Sequence, residues 1–387
     1  MSTPTGLAIL GAGIFAKEAH LPAVAALGTS VALRAVYSRS QRSASDLAAA
    51  AKTSLNLNSP PDVYSDDSDN TLPALLARSD IAFVIIALPI SHQPSVVLQC
   101  LAAGKHVLSE KPVAPDVKSG IDLIAEYEKT YKPKGLLWRV AENYETEPGY
   151  RAAVQAVREG KIGDIRFFRL SAVGYVDKDS KWYKTPWRTV PDYQGGFLLD
   201  GGVHSVALLR TLLPTPIQQV TSYASLSREH LAPQDTVTAL ISCTPISNPP
   251  SASKDKLAHG IFELSFAAPA PSRAGVGNAT ILTGNKGWLQ IANAKGADGK
   301  PVVRTTLHKV THEPVKEGDE LKEEEEVIDE RPRGVEAEVA IFLDLVNGGK
   351  DEGFGDPKGA LLDVAVIQAT LASEGVPIDI QKLVKEG

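Results

Sequence analysis

The chain has 387 residues, 43% apolar and 22% charged, with a formal net charge of −6. That length exceeds what a single hydrophobic core usually organises and suits two domains. The acidic balance, with no block of Lys and Arg, argues against nucleic acid or an anionic membrane surface as a partner and leaves a small molecule.

The elements follow in order. LAIL at 7–10 is a short apolar run ending in Gly11, as a buried parallel strand reads. A helix is expected over 14–27, a strand over 31–37 and a helix from Ser38 to Ala51, then a Ser, Asn, Pro and Asp loop. IAFVIIALP at 81–89 is the most apolar strand. A helix at 93–103 ends at Gly104, a suitable C-cap. HVLSEKP is a strand with its exit loop, 117–130 a helix, and LLWRVAEN the returning strand. Alternating strands and helices predict a doubly wound parallel sheet over 1–142.

After about residue 142 the pattern changes. A helix near 148–159 precedes IRFFRLSAVGY, VTALISC, GIFELSFAA, ATILTGNKGWLQIA and VVRTTLHKV, long strands with hairpin-like spacing. They predict a large, mostly antiparallel open sheet with one exposed face. Helices are expected at 200–213, through VEAEVAIFLDLV, and at 359–375. Residues 143–387 thus form a second, α+β domain, to which the family resemblance given below assigns substrate binding and oligomerisation. The stretches 244–256 and 316–334 read as mobile loops; the acidic 316–334 run is expected to be solvated or to begin the following helix.

No apolar run reaches the length of a membrane span, and the start, MSTPTGLAILGAG, lacks the basic region of a signal peptide. Cys100 and Cys243 are far apart, which fits a reducing compartment and a cytoplasmic protein. Cys100 reads as a small core residue. His20 and His106 read as structural, and no His or Cys spacing suggests a metal.

Gly11, Ala12, Gly13, Ile14, Phe15 and Ala16 spell GxGxxA between a strand and a helix. Gly11 permits the tight turn, Gly13 lets a pyrophosphate approach the backbone, and Ala16 lets the helix pack closely. The helix N-terminus offers N–H groups and a positive dipole end to phosphate. The second strand ends in Tyr37, Ser38, Arg39, with Arg42 beyond, and has no carboxylate. NADP(H) is therefore the expected cofactor, with Ser38 and Arg39 as ligands of the 2′-phosphate, and NAD(H) the lesser possibility.

Lys111, in Glu110-Lys111-Pro112, leaves a strand where ligands of such sheets bind. Asp200 and His204 are an i, i+4 pair if 200–213 is helical. An imidazole beside a carboxylate is suited to accept a hydroxyl proton near neutral pH. Gly201 and Gly202 are expected to leave room for a ligand. Trp182, Tyr183, Trp187 and Arg188 precede this helix, and Trp187 and Arg188 are tentative substrate contacts.

GxGxxA, AAGKHVLSEKPVA at 102–114, EGKIGDI at 159–165 and D-x-x-x-H at Asp200 and His204 together resemble the glucose-fructose oxidoreductase / inositol dehydrogenase / rhizopine catabolism (Gfo/Idh/MocA) family over essentially the whole chain. The resemblance implies an NAD(P)-dependent dehydrogenase or reductase acting on sugars, polyols or related small molecules, usually as a homodimer or homotetramer. It implies Lys111, Asp200 and His204 as the catalytic set, with His204 the acid/base, and Asn143 lining the site. Expected cofactor contacts are Gly11, Gly13, Ile14, Phe15, Ser38, Arg39, Arg42, Pro89, Glu110 and Lys111. The chain departs from the pattern at Gln93, where relatives carry His and His92 lies adjacent, and at Ala207, where an acidic residue is usual. A non-catalytic NADP-binding sensor on the same fold is the alternative; retention of Lys111, Asp200 and His204 argues for the enzyme.

Overall fold

The computed structural model describes residues 4–244, 257–311 and 322–386. The chain divides into two compact units, one of residues 1–146 with 333–361, the other of 147–332 with 362–387. This differs from a single cut at 142/143, because residues 333–361 return to the first unit.

The first unit holds β1 (Thr5–Leu10), β2 (Val31–Ser38), β3 (Asp62–Ser65), β4 (Phe83–Ile86), β5 (His106–Glu110) and β6 (Trp138–Ala141). They form one sheet in the order β3-β2-β1-β4-β5-β6, parallel throughout. The order reverses between β1 and β4, the point where doubly wound sheets open a ligand crevice. Leu7, Ile9, Phe83 and Ile85 are fully buried, which explains why these strands are apolar throughout. Helix Gln41–Ser54 is capped by Ser40, whose hydroxyl accepts from Ser43 N–H (3.3 Å). It buries Ala44, Leu47, Ala48 and Ala51, one helical face. Gly104 ends helix Gln93–Ala102 at φ +75°. The stretch expected as a plain loop after residue 54 contains β3 and helix Leu72–Leu76.

Helix Gly334–Val346 joins this unit because Val339, Phe342 and Leu343 complete its core. Phe342 meets Phe83 edge-on, 5.7 Å between ring centroids. Next to edge strand β6, Val140 N–H donates to Gly355 O (2.8 Å), so the 350s segment covers that edge.

The second unit holds β7 (Ile165–Val173), β8 (Ile217–Ser225), β9 (Thr236–Cys243), β10 (His259–Ser265), β11 (Ala279–Gly284), β12 (Gly287–Lys295), β13 (Pro301–Thr311), β14 (Lys322–Glu330) and β15 (Ile378–Asp379). The sheet order is β14-β13-β12-β11-β7-β10-β9-β8-β15, and among the described residues only β7 and β10 pair in parallel. Helix Phe197–Leu212 packs on β7 and β10, and Pro148–Arg158 on β12 to β14. Arg210 binds Asp363 through two hydrogen bonds (2.8 and 2.9 Å), tying Phe197–Leu212 to helix Pro357–Ala372. Phe167, Tyr223, Leu240 and Ile261 are exposed.

The acidic stretch requires a correction. Residues 312–321 lie outside the described residues, as do 245–256, but Lys322–Glu330 is edge strand β14 rather than a loop or helix start. KEEEEVIDE lacks apolar alternation, so its strand is held from outside. It pairs residue by residue with β13, and Lys161 (3.1 Å) and Lys309 (2.9 Å) meet Glu326. Arg304 meets Asp329 at 2.7 Å. Among the described residues no helix is long and apolar enough to cross a membrane. Both cysteines are buried free thiols, pushed up to about 12 by burial.

Candidate active site

In the first unit the glycine loop leaves β1. Gly11 has φ +113°, its N–H donates to Tyr37 O (2.8 Å), and a Cβ there would lie 2.1 Å from Ala87 O. Gly13 is the opposite case: a Cβ would meet nothing within 4 Å. One glycine is demanded by the backbone, while the other lies open as a phosphate-binding position requires. The first helical bond runs from Lys17 N–H to Gly13 O (3.3 Å), so the N–H groups at Ile14 and Phe15 precede the helical ladder. These features fit a dinucleotide pyrophosphate. Gly11→Ala is therefore expected to destabilise the fold by about 1–3 kcal/mol. Gly13→Ala is expected to leave denaturation unchanged while weakening dinucleotide binding at least about tenfold. Chemical unfolding and a cofactor titration of both variants check this.

Ser38 ends β2 and Arg39 follows it, with Arg39 and Arg42 exposed. The loop after β3 adds two carboxylates that the sequence reading did not single out. Tyr37 OH donates to Asp66 Oδ1 (2.7 Å), and Gln41 N–H donates to Asp67 Oδ1 (2.6 Å). Burial and then Asp66 raise the Tyr37 phenol above its ordinary range. The hydrogen bonds from Ser65 and from the Gln41 backbone hold Asp67 below the usual carboxylate range.

Pro89 follows β4, and its carbonyl accepts from His92 N–H (3.0 Å). Gln93 is buried and its side-chain amide has no hydrogen-bond partner among the described residues, while His92 is exposed. Lys111 follows β5 and Asn143 follows β6, both half-buried. Because the sheet is parallel, Gly11, Ser38, Arg39, Pro89, Lys111 and Asn143 all fall at its carboxyl-terminal edge. Glu110 ends β5, and its buried carboxyl meets His20 Nε2 at 2.8 Å. His20 is wholly buried, and His106 Nδ1 accepts from Leu137 N–H (3.0 Å), so both are structural.

In the second unit, Phe197–Leu212 brings Asp200 and His204 to one helical face. Asp200 is buried and His204 half-buried. Arg188 Nε donates to Asp200 Oδ2 (2.6 Å), and its guanidinium lies 4.0 Å from the Trp187 ring centroid and 5.3 Å from that of Trp182. Arg188, expected as a substrate contact, is thus committed to Asp200, with two indoles fixing its plane. Tyr193, also missed, is buried 5.9 Å from Trp187, ring to ring. Its phenol is raised by burial and by the Asp200 charge.

The two glycines after Asp200 do not make room for a ligand as expected. A Cβ at Gly201 would lie 2.6 Å from Phe266 Cζ, and one at Gly202 2.5 Å from Leu264 Cδ2. They let the helix approach its own sheet. Among the described residues, no group of three or more His, Cys, Asp or Glu is arranged to hold a metal ion.

Comparison with known proteins agrees with this geometry. Residues 5–133 match the oxidoreductase-family model for the NAD-binding Rossmann fold of GFO/IDH/MocA proteins, and 150–290 match the GFO/IDH/MocA C-terminal domain. The chain is 36% identical to dehydrogenase FPY6 of Fusarium mangiferae, over 95% of this chain and 96% of that protein. It is 34% identical to a dTDP-3,4-didehydro-2,6-dideoxy-alpha-D-glucose 3-reductase of Streptomyces violaceoruber, over 38% and 40%. The crystal structure of an oxidoreductase from Thermotoga maritima superimposes with a TM-score of 0.78 at 25% identity, covering 98% of this chain and 99% of that one. The chain therefore belongs to the Gfo/Idh/MocA family and is an NAD(P)-dependent oxidoreductase acting on small molecules.

Proposed function

We propose that this enzyme uses NADP(H) and moves hydride between the nicotinamide and a hydroxyl or carbonyl carbon of a sugar, polyol or related molecule. The carrying observation is the Asp200–His204 pair on one helical face, with Asp200 buried against Arg188. The Streptomyces violaceoruber relative, a reductase of a nucleotide-linked keto sugar by its name, supports this substrate class.

Bound NADP(H) supplies or accepts the hydride. The Gly11–Phe15 turn holds its pyrophosphate, and Ser38, Arg39 and Arg42 hold its 2′-phosphate. Pro89 lies beside the dinucleotide. Lys111 donates a hydrogen bond to the reacting oxygen and stabilises negative charge developing there. His204 takes the hydroxyl proton during oxidation and returns it during reduction. Asp200 orients His204 and is itself held by Arg188. Asn143 and Trp187 line the substrate. The exposed Phe167, Tyr223, Leu240 and Ile261 support assembly as a homodimer or homotetramer.

Asp66 and Asp67 favour a second reading, in which NAD(H) is used equally, because carboxylates near the end of β2 repel a 2′-phosphate. Both are already engaged, with Tyr37 OH and Gln41 N–H, which leaves Arg39 to set the preference. Titration of tryptophan fluorescence with each cofactor separates the readings. NADPH is expected to bind at least about tenfold more tightly than NADH, and Arg39→Ala to remove that preference by weakening NADPH alone. Equal affinities in the wild type would establish the second reading.

A further inference from the structure

Helix Gly334–Val346 carries one residue that core packing does not explain. Glu338 lies one turn before Phe342, on the face that packs against the parallel sheet. It is 6% exposed, and both of its carboxyl oxygens are buried without a hydrogen-bond partner among the described residues. A leucine or methionine would fill such a position at lower cost.

Three more carboxyl groups act on it: Glu110, the last residue of β5, and Glu142 and Glu145, which follow β6. All three are buried. Glu142 Oε1 accepts from Tyr144 N–H (3.1 Å), and Glu145 Oε2 from Gly355 N–H (2.9 Å). Glu338 and Glu142 line one small cavity of about 20 Å³, room for roughly one water. Arg139, Lys350, Asp351 and Glu352 line it too, and Arg139 already pairs with Asp351. On the first helix, His20 faces Glu110.

The arrangement places a buried glutamate immediately before each of two candidate site residues, Glu110 before Lys111 and Glu142 before Asn143, and the Glu338 helix packs against β5, β6 and the turn at 143–146. We propose that Glu338 is a positioning residue for the reaction: it holds the Lys111 and Asn143 turns from behind, through a four-carboxyl cluster. This rests on the reading of Lys111 and Asn143 as site residues. Fully ionised, the cluster would drive the ends of β5 and β6 away from the helix.

Burial, followed by the charges of Glu110, Glu142 and Glu145, raises the Glu338 carboxyl well above the ordinary range. Between the unfolded and folded values the folded chain binds the extra proton, so stability falls as pH rises through that window.

The test compares the full-length wild type with Glu338→Gln, which keeps the shape and cannot ionise. The infrared C=O band of a protonated carboxyl should appear at neutral pH in the wild type and be missing from E338Q. The wild-type folding equilibrium should fall with rising pH by up to about tenfold per unit relative to E338Q. The NADPH dissociation constant should weaken with pH in the wild type and stay flat in E338Q. If E338Q fails to fold, Glu145→Gln takes its place: one repelling charge fewer should move the wild-type pH responses to lower pH. Parallel pH profiles of NADPH affinity in wild type and variant overturn the proposal, even where stability differs. Absence of NADPH binding to the folded wild type overturns the cofactor reading and, with it, this proposal.

Discussion

Replacing His204 with Asn is expected to lower turnover by about a hundred- to ten-thousand-fold while NADPH affinity stays within about twofold. The argument starts from the helix. Asp200 and His204 are one turn apart on Phe197–Leu212, and the buried Asp200 is fixed by Arg188. In carbinol oxidation the hydroxyl proton must leave as hydride departs, and imidazole is the side chain suited to accept it near neutral pH. Asn keeps the size and polarity of the position and removes the base. Cofactor binding is assigned to residues of the other unit, so it should survive. The checks are steady-state rates with a substrate found by screening and an NADPH titration of the same preparation. Unchanged turnover would remove His204 from the mechanism.

Arg188→Ala is expected to destabilise the protein by about 3–5 kcal/mol, because it takes the guanidinium away from a buried carboxylate. The pair is enclosed: the Arg188 and Asp200 side chains are 14% and 9% exposed. The substitution also frees Trp187 and Trp182, which lie against the guanidinium. Arg188→Lys keeps the charge but loses the planar stack and should fall between wild type and alanine. Denaturant unfolding, followed by tryptophan fluorescence, measures both. Removing the carboxylate as well, in Arg188→Ala with Asp200→Asn, should recover part of the loss, since the two side chains act as one buried pair.

What the sequence disclosed follows from the range of the interactions involved. The parallel sheet was legible because LAIL and IAFVIIALP are apolar throughout, as strands buried on both faces must be. The glycine loop was legible because its geometry needs particular residues at fixed spacing. β14 was not, because KEEEEVIDE becomes a strand through cross-strand ion pairs and a ladder with β13, neither of which leaves a periodic trace. β8, IQQVTSYAS, was hidden by irregular polar residues. The return of residues 333–361 to the first unit depends on Phe342 meeting Phe83, a contact no local pattern announces.

The same division holds at the site. That Asp200 and His204 share one helical face was legible from their spacing, but the Arg188 partner of Asp200 lies twelve residues earlier across a turn. The role of Gly201 and Gly202 was misread because Phe266 and Leu264 approach from distant strands. Glu338 did leave a signal. In VEAEVAIFLDLV it stands four residues before Phe342, a carboxyl on the apolar stripe, where a solvated glutamate would not fall.

Deuteride transfer tests the central claim most directly. The protein is incubated with NADPH carrying deuterium at the nicotinamide C4, together with keto sugars and related carbonyl compounds, and the products are weighed by mass spectrometry. The account predicts one deuterium on a carbinol carbon, with the yield reduced in the His204 variant and in Lys111→Met. Tight NADPH binding with no label in any product, or equal labelling by wild type and both variants, would contradict it.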